Sequence, residues 1–233
     1  MNALKYPIIL LDADNTVMDF DDAEHQALVK VFSDYRLTLT PSVEQIYQTV
    51  NQNLWREFEQ NKISKQQLLS SRFALLFEQL NITGIDSSEF NRQYLLRLGE
   101  GNKPMPQAPE VCRRLCEMGC RLYILTNGVS RAQHSRLSSS ALAPYLSDIF
   151  VSEDAGFQKP RKEYFDYVFA RIPDFDSKKA LMVGDSLSSD MRGALAAGLD
   201  RCWFNPSHQP LPDAPSLTYV IYSLTQLLEI VTF

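Results

Sequence analysis

The stretch IILLDADNTV (residues 8–17) joins a strand signal to a pair of acidic residues. Four branched apolar residues in a row are typical of a strand that is buried on both faces of a parallel sheet. Asp12 and Asp14 follow at once, with a single alanine between them. A buried strand that ends in paired negative charge raises the question of what offsets the repulsion between the two carboxylates.

Apolar runs of the same kind recur along the rest of the chain. They are LYIL (122–125), IFVS (149–152), ALMV (180–183) and RCWF (201–204), and helical patterns separate most of them. A last strand and helix are expected after the Pro-rich stretch NPSHQPLPDAPS (205–216). Strands that alternate with helices predict an α/β fold with a doubly wound parallel sheet.

One long segment interrupts this alternation. Residues 18 to 104 show helical periodicity and no clear strand. Four helices are predicted, at HQALVKVFSDY (25–35), VEQIYQTVNQNLWREFEQ (43–60), KQQLLSSRFALLFEQL (65–80) and SSEFNRQYLLRL (87–98). The glycines and prolines of GEGNKPMPQAP (99–109) are typical of a linker that returns to the sheet. We therefore expect an all-helical domain at residues 18–104, inserted into an α/β core domain of residues 1–17 and 105–233.

The composition limits the classes of partner. The chain has 233 residues, of which 45% are hydrophobic, and a formal net charge of -5, which suits a folded globular protein and disfavours binding of polymeric nucleic acid. No apolar run approaches the roughly 18 residues of a membrane span, and the first apolar stretch reaches Asp12 too early for a signal peptide. We expect a cytoplasmic protein without a membrane partner, either a monomer or a weak homodimer.

Polar residues follow three of the predicted strands at the points where these strands end. In chain order they are Asp12, Asp14, Thr126, Asn127, Gly128, Asp185, Ser186 and, a little further on, Asp190. In an open parallel sheet, ligands bind outside the carboxyl ends of the strands. One D-x-D pair alone is more often a strand-end turn, but three strand ends of this kind predict a site at this edge.

The carboxylates point to a hard metal ion. Asp12, Asp14 and Asp185 could stay ionised together only with a compensating cation. Oxygen ligands favour Mg²⁺, with Mn²⁺ as a substitute. The ion would attract an anion, for which the sequence offers the Thr126 hydroxyl, the amides of Asn127 and Gly128, and the ammonium group of Lys159. Together these residues predict a phosphate site.

Two of the candidate residues keep a second interpretation. Lys159 precedes a proline and, taken alone, is a charge on a loop. Asp190 could be the N-cap of a helix over DMRGALAAGL (190–199) as well as a site residue.

Four short motifs resemble those of a known superfamily. DADNT (12–16), ILTNG (124–128), the Lys159–Pro160 pair and GDSLSSD (184–190) occur in this order and resemble the motifs of the haloacid dehalogenase superfamily, over the whole chain. The resemblance implies that Asp12 is the nucleophile, which forms an aspartyl phosphate. Asp14 would protonate the leaving oxygen and then activate water, and Thr126 and Lys159 would hold the phosphoryl group.

The same resemblance implies the metal ligands. Mg²⁺ would bind the Asp12 carboxylate, the Asp14 backbone carbonyl and Asp185. Asp190 would order the water molecules of the ion or Lys159 without binding the ion itself, and Ser186 would lie in the same outer layer. The helical insertion resembles the helical cap of this superfamily, which opens and closes during the reaction.

A closer resemblance concerns the substrate. NLWREFEQNKISKQQLLSSRFALLFEQLNI (53–82), with TNGVS (126–130) and CWFNPSHQ (202–209), is similar to the YjjG-type pyrimidine 5′-nucleotidases. This implies a phosphomonoesterase whose small-molecule substrates are pyrimidine and deoxypyrimidine nucleoside monophosphates. The alternatives are a sugar-phosphate or phosphoglycolate phosphatase, a β-phosphoglucomutase-like enzyme and, outside the enzymes, a phosphate-sensing or receiver-like module.

Overall fold

The protein forms two compact units. The computed structural model describes residues 3–211, 213 and 216–232. The described parts of residues 1–20 and 102–233 make an α/β unit, and residues 21–101 make a helical unit. The predicted α/β fold is thus confirmed, while the predicted domain limits at 17/18 and 104/105 stay a proposal.

The helical unit is built from four amphipathic helices close to the predicted positions. They are α1 (Phe20–Asp34), α2 (Pro41–Glu59), α3 (Lys65–Gln79) and α4 (Ser87–Leu98). Side chains of Thr40, Ser64 and Asp86 accept backbone amides at the starts of α2, α3 and α4, which satisfies donors that a helix start leaves unpaired. The first helix begins five residues before the predicted start, because Asp21 and Asp22 suit its first turn.

Helices and short turns connect the strands of the α/β unit. The helices are α5 (Ala108–Met118), α6 (Ser130–Ser138), α7 (Ser152–Ala155), α8 (Lys162–Phe169), α9 (Arg192–Ala196) and α10 (Leu227–Ile230). Turns of 3₁₀-helix lie at Ala143–Tyr145, Ser177–Lys179 and Leu224–Gln226, and a π-helical turn lies at Leu187–Met191. Among the described residues, no helix combines the length and the apolar character that crossing a membrane requires.

All paired strands of the α/β unit run parallel in one sheet. The strands are β1 (Ile8–Leu11), β2 (Arg121–Thr126), β3 (Leu146–Val151), β4 (Ala180–Gly184), β5 (Asp200–Phe204) and β6 (Tyr219–Ile221). Their spatial order is β3-β2-β1-β4-β5-β6. Leu11 of β1 is level with Ile124 of β2 and Val183 of β4, so the carboxyl ends of these three strands lie side by side. The order reverses at β1, which is where a doubly wound sheet binds ligands.

Both faces of the sheet are covered, which explains the uninterrupted apolar run of β1. Ile9 and Leu11 pack into a core on one face, and Ile8 and Leu10 pack into a core on the other. All four side chains are at most 1% exposed. Burial of each of these side chains stabilises the fold by roughly 1.5–3 kcal/mol. The strand that precedes Asp12 is therefore fixed in the core.

Two predicted segments differ from the structure. The strand expected at 149–152 begins earlier, at Leu146, and ends at Val151, because Ser152 already starts α7. The Pro-rich loop predicted at 205–216 includes positions 212, 214 and 215, which lie outside the described residues.

Candidate active site

The ammonium group of Lys159 joins two of the predicted aspartates. Its Nζ lies 2.5 Å from Asp12 Oδ1 and 2.7 Å from Asp190 Oδ1, and it also donates to the carbonyl oxygen of Leu125 at 2.6 Å. All three N–H donors of the ammonium group are therefore used. Lys159 is 1% exposed and Asp190 is fully buried, so the interpretation of Lys159 as a loop charge is wrong.

The side chain of Asn127 fixes the backbone of Lys159. Asn127 Oδ1 accepts the Lys159 amide at 2.9 Å, and Asn127 Nδ2 donates to the Lys159 carbonyl oxygen at 2.9 Å. The sequence predicted only the backbone amide of Asn127 as a site group. The contacts of its side chain join two loops that lie 32 residues apart in the sequence. No local sequence pattern indicates such a pairing.

Thr126 and Gly128 form a tight turn after β2. Thr126 is 1% exposed, and its Oγ1 accepts the Gly128 amide at 3.0 Å. The Gly128 amide, which was predicted to bind an anion, thus has an acceptor within the turn.

Asp185 and Asp190 lie beside Asp12. Oxygen atoms of the three carboxylates all lie within 4.8 Å of one another. Asp190 Oδ2 accepts the Ser186 amide at 3.1 Å, and a Cβ on Gly184 would lie 2.2 Å from the same oxygen, so only glycine leaves room there. Helix α9 begins at Arg192, with Met191 in the cap position, so the alternative that Asp190 is an N-cap is wrong.

Thr16 connects the ends of the first and fourth strands. Its Oγ1 accepts the Asp185 amide at 3.1 Å and lies 3.4 Å from Asp185 Oδ1. The side chain is fully buried. Sequence reasoning missed this contact, since Thr16 belongs to the DADNT motif but has no charge of its own.

Burial and repulsion raise the pKa values of Asp12 and Asp185. Burial raises the pKa of Asp12 well above its usual range; Asp190 adds to this and Lys159 opposes it. Burial, followed by Asp190, raises the pKa of Asp185 to about 7. Burial would lower the pKa of Lys159, but the Asp12 and Asp190 carboxylates outweigh it and raise that pKa, so the lysine stays a cation.

These charges fit a divalent cation. Asp12, Asp185 and Asp190, when ionised, carry two more negative charges than Lys159 offsets. This excess adds to the effect of burial in raising the pKa values of Asp12 and Asp185. Both oxygens of Asp190 already accept from Lys159 and Ser186. Asp12 and Asp185 are therefore the carboxylates best placed to hold an ion with a preference for oxygen ligands.

The carboxylate of Asp14 has different neighbours, which the sequence did not predict. Arg136 Nη1 lies 2.5 Å from Asp14 Oδ1, and Gln133 Nε2 lies 2.5 Å from Asp14 Oδ2. Both partners come from α6, the helix after the TNGVS motif. Their spacing of three residues on one helix face was the only available signal, and polar residues at that spacing usually face solvent.

Comparison with known proteins identifies the family. The profile of the haloacid dehalogenase-like hydrolases matches residues 6–198. The chain belongs to this family. The predicted superfamily is confirmed, and so is the prediction that the protein is an enzyme, which leaves the binding-module alternative without support.

Relatives of this haloacid dehalogenase-like hydrolase cover nearly the whole chain. This chain is 42% identical over 226 residues to the HAD-hydrolase YfnB of Bacillus subtilis (strain 168), and the match covers 97% of this chain and 95% of that protein. It is 34% identical to the pyrimidine 5′-nucleotidase PynA of Streptococcus pneumoniae (strain ATCC BAA-255 / R6), over 96% of this chain and 94% of that protein. Identity to the pyrimidine 5′-nucleotidase YjjG of Escherichia coli (strain K12) is 33%, over 96% of this chain and 97% of that protein.

One solved relative holds a metal. A crystal structure of YfnB from Bacillus subtilis bound to magnesium has a TM-score of 0.92 and 41% identity to this chain, covering 98% of this chain and 100% of that chain. The fold of this chain is similar to that of the magnesium-bound protein. This similarity accords with a metal-dependent member of the family, as does the acidic cluster of Asp12, Asp185 and Asp190.

Proposed function

We propose that this hydrolase is a Mg²⁺-dependent phosphomonoesterase that releases phosphate from pyrimidine and deoxypyrimidine nucleoside 5′-monophosphates. The observation that best supports this chemistry is the cluster of Asp12, Lys159, Asp185 and Asp190 beside the carboxyl ends of β1 and β4. Asp185 is half-buried, and the other three residues are buried. The substrate class is supported by PynA and YjjG, which are pyrimidine 5′-nucleotidases and match 96% of this chain.

Asp12 would be the nucleophile of the first step. Lys159 holds its Oδ1, which fixes the carboxylate and leaves Oδ2 to attack phosphorus. As the bond from Asp12 to phosphorus forms, the bond to the leaving 5′ oxygen breaks and Asp14 gives that oxygen a proton. The Thr126 hydroxyl and the Asn127 amide would hold the phosphoryl oxygens, and the positive charge of Lys159 would attract them. The Gly128 amide would join them by exchanging its bond to Thr126 Oγ1 for one to a phosphoryl oxygen.

Asp14 would act again in the second step. It takes a proton from the water molecule that attacks phosphorus, and the bond to Asp12 breaks. The products are inorganic phosphate and the free Asp12 carboxylate. One residue thus serves as acid and then as base.

Mg²⁺ would be held by Asp12, Asp185 and the backbone carbonyl of Asp14, with Mn²⁺ as a substitute. When bound, it supplies positive charge that offsets the carboxylates and the phosphoryl group. Asp190 and Ser186 support this arrangement without binding the ion: Asp190 accepts from Lys159, and the Ser186 amide donates to Asp190. The division into a core (1–17 and 105–233) and a helical cap (18–104) that selects the substrate belongs to the same proposal.

Phosphate release in the presence of Mg²⁺ tests the proposal. The panel contains deoxyuridine, thymidine and purine nucleoside monophosphates, sugar phosphates and phosphoglycolate, and Asp12→Asn is run beside the wild-type protein. We expect the highest kcat/KM for the pyrimidine nucleotides and loss of at least about a thousandfold in the variant, because the nucleophile is gone.

Other outcomes would change the proposal. Activity confined to sugar phosphates or phosphoglycolate would keep the chemistry and overturn the substrate class. Isomerisation of a sugar phosphate without free phosphate would indicate a mutase. Full turnover by Asp12→Asn would contradict the assignment of the nucleophile.

A further inference from the structure

Helix α6 places two buried polar side chains against Asp14. Gln133 is 2% exposed and Arg136 is 1% exposed. Side chains of these types are seldom so fully buried unless they are paired. The two residues are three positions apart, so they lie on the same face of α6. We call them the α6 pair.

Each oxygen of the Asp14 carboxylate receives one donor from the α6 pair. Gln133 Nε2 donates to Oδ2 and Arg136 Nη1 donates to Oδ1, both at 2.5 Å. The Asp14 side chain is 27% exposed, so without these donors it would be free to change rotamer. A carboxylate oxygen has two acceptor sites, so one donor on each oxygen still leaves a site for a transferred proton.

The amide of Gln133 is itself oriented. Arg136 Nη1 lies 3.4 Å from Gln133 Oε1, which keeps the carbonyl end of the amide toward the guanidinium group and the NH₂ end toward Asp14. A reversed amide would place two acceptors, Gln133 Oε1 and Asp14 Oδ2, against each other. The three side chains therefore fix one another.

The backbone after β2 leaves room for this arrangement. A Cβ on Gly128 would lie 2.1 Å from Gln133 Nε2 and 2.7 Å from its Cδ and Cγ atoms. Any side chain at position 128 would thus displace Gln133 from Asp14. The turn after β2 is shaped around the α6 pair as well as around Thr126.

We propose that Gln133 and Arg136 are positioning residues that hold the Asp14 carboxylate in place for its two proton transfers. This inference rests on the proposed function, in which Asp14 protonates the leaving oxygen. Proton transfer requires the acid to lie within hydrogen-bond reach of the reacting oxygen, so a carboxylate that changes rotamer loses rate without loss of substrate binding.

The dependence of rate on the leaving group tests this role. Because the phosphoenzyme is hydrolysed in a separate second step, kcat/KM reports only the steps up to departure of the leaving group. A nucleoside alcohol needs a proton to leave, whereas nitrophenolate does not. We expect Gln133→Met and Arg136→Met to lower kcat/KM for thymidine monophosphate by about 10- to 100-fold, part of the usual contribution of general acid catalysis. For p-nitrophenyl phosphate the loss in kcat/KM should stay below about threefold, as it should in Asp14→Asn.

Controls separate positioning from folding. Arg131→Met changes an exposed arginine on the same helix and should leave both kcat/KM values unchanged. Arg136→Lys keeps a cationic donor and should recover part of the rate that Arg136→Met loses. Combining Gln133→Met with Asp14→Asn should lower kcat/KM no further than Asp14→Asn alone, because both changes remove the same function, which is proton transfer by Asp14. Thermal unfolding identifies a variant that fails to fold. If Arg136→Met fails to fold, the kcat/KM values of Gln133→Met and Arg136→Lys are compared with those of the wild-type protein instead.

Two results would overturn the inference. Equal losses with both substrates would mean that the α6 pair supports phosphate binding or folding and not the acid. Values like those of the wild-type protein would mean that Asp14 needs no positioning. A wild-type protein that releases phosphate from no ester would contradict the proposed function itself, which is a distinguishable result.

Discussion

At the scale of single residues, Lys159 determines the charge balance of the site. It is the cation that contacts both Asp12 and Asp190, and its side chain is 2% exposed. Removing one partner of a buried ion pair leaves an uncompensated charge, which costs much more than the pair itself contributes. Stability and chemistry therefore depend on the same ammonium group.

We predict that Lys159→Met lowers the free energy of unfolding of the metal-free protein by about 3–5 kcal/mol. Denaturant unfolding in a chelator measures this. Lys162→Met is a matched control, because Lys162 is 60% exposed and pairs with Asp166 at the surface, and its change should stay within about 0.5 kcal/mol. A loss as small as that of the control would contradict the buried ion pair.

Residues of the site differ in how well the sequence predicted them. Asp12, Asp14, Thr126 and Asp185 each follow an apolar run, so a local pattern marks them as strand-end residues. Gln133 and Arg136 have no such mark, because their role depends on contacts with a residue more than a hundred positions away. Only the fold brings these side chains together.

At the scale of elements, the helical unit contains a buried polar network across its four helices. Asn51 Nδ2 donates to Glu24 Oε1 at 3.0 Å, which links α1 with α2, and Arg72 Nε donates to Asn91 Oδ1 at 2.6 Å, which links α3 with α4. Burial raises the pKa of Glu24 to about 7, against an opposing effect of Arg72. Glu24 thus binds a proton more tightly in the folded state than in the unfolded chain.

This pKa predicts the sign of a pH dependence. A raised folded-state pKa contributes stability that is complete below the ordinary value of 4.5 and is lost as pH rises through about 7. The difference in unfolding free energy between wild type and Glu24→Gln should therefore fall by about 2 kcal/mol from about pH 5.5 to about pH 8.

Denaturant unfolding at the two pH values measures that difference. Glu78→Gln, which changes an exposed residue of α3, should show no such trend. A difference for Glu24→Gln that does not vary with pH would show that the Glu24 carboxyl titrates alike in the folded and unfolded states.

The elements themselves were largely predictable, and the exceptions have physical causes. Periodic apolar residues marked α2, α3 and α4 to within two residues at their ends. The start of β3 is not evident from the sequence because Leu146, Ser147 and Asp148 carry few apolar groups, and β3 is one of the two edge strands of the described sheet. The π-helical turn that buries Asp190 was also missed, since its sequence LSSDM resembles an ordinary helix start.

At the scale of the whole molecule, we predict from the excess negative charge of the site that the stability of the protein increases when a metal ion binds. A ligand that binds only the folded state at about a hundred times its Kd adds about 2.7 kcal/mol. For a chain of this size, that corresponds to an increase in Tm of about 5–10 °C. We predict such an increase when Mg²⁺ is added to chelator-treated protein, and its loss in Asp185→Asn.

The same increase should depend on pH. Since the pKa of Asp185 is raised to about 7, protons compete with the ion below that pH. The increase in Tm should thus be larger at about pH 8 than at about pH 6. Asp166→Asn, at an exposed position, is the control and should keep the full effect of Mg²⁺.

Trapping the phosphoenzyme tests whether Asp12 is the nucleophile. The Asp14→Asn variant is mixed with Mg²⁺ and p-nitrophenyl phosphate, quenched within seconds and analysed by peptide mass spectrometry. Because the first step with this ester needs no acid while the second step needs the base, the phosphoenzyme should accumulate. We expect the mass of one phosphoryl group on the peptide that contains Asp12, and no such mass in a variant that also carries Asp12→Asn. Turnover by the wild-type protein with no adduct on Asp12 in the trapping variant, or an adduct on another residue, would contradict the role of Asp12 as the nucleophile.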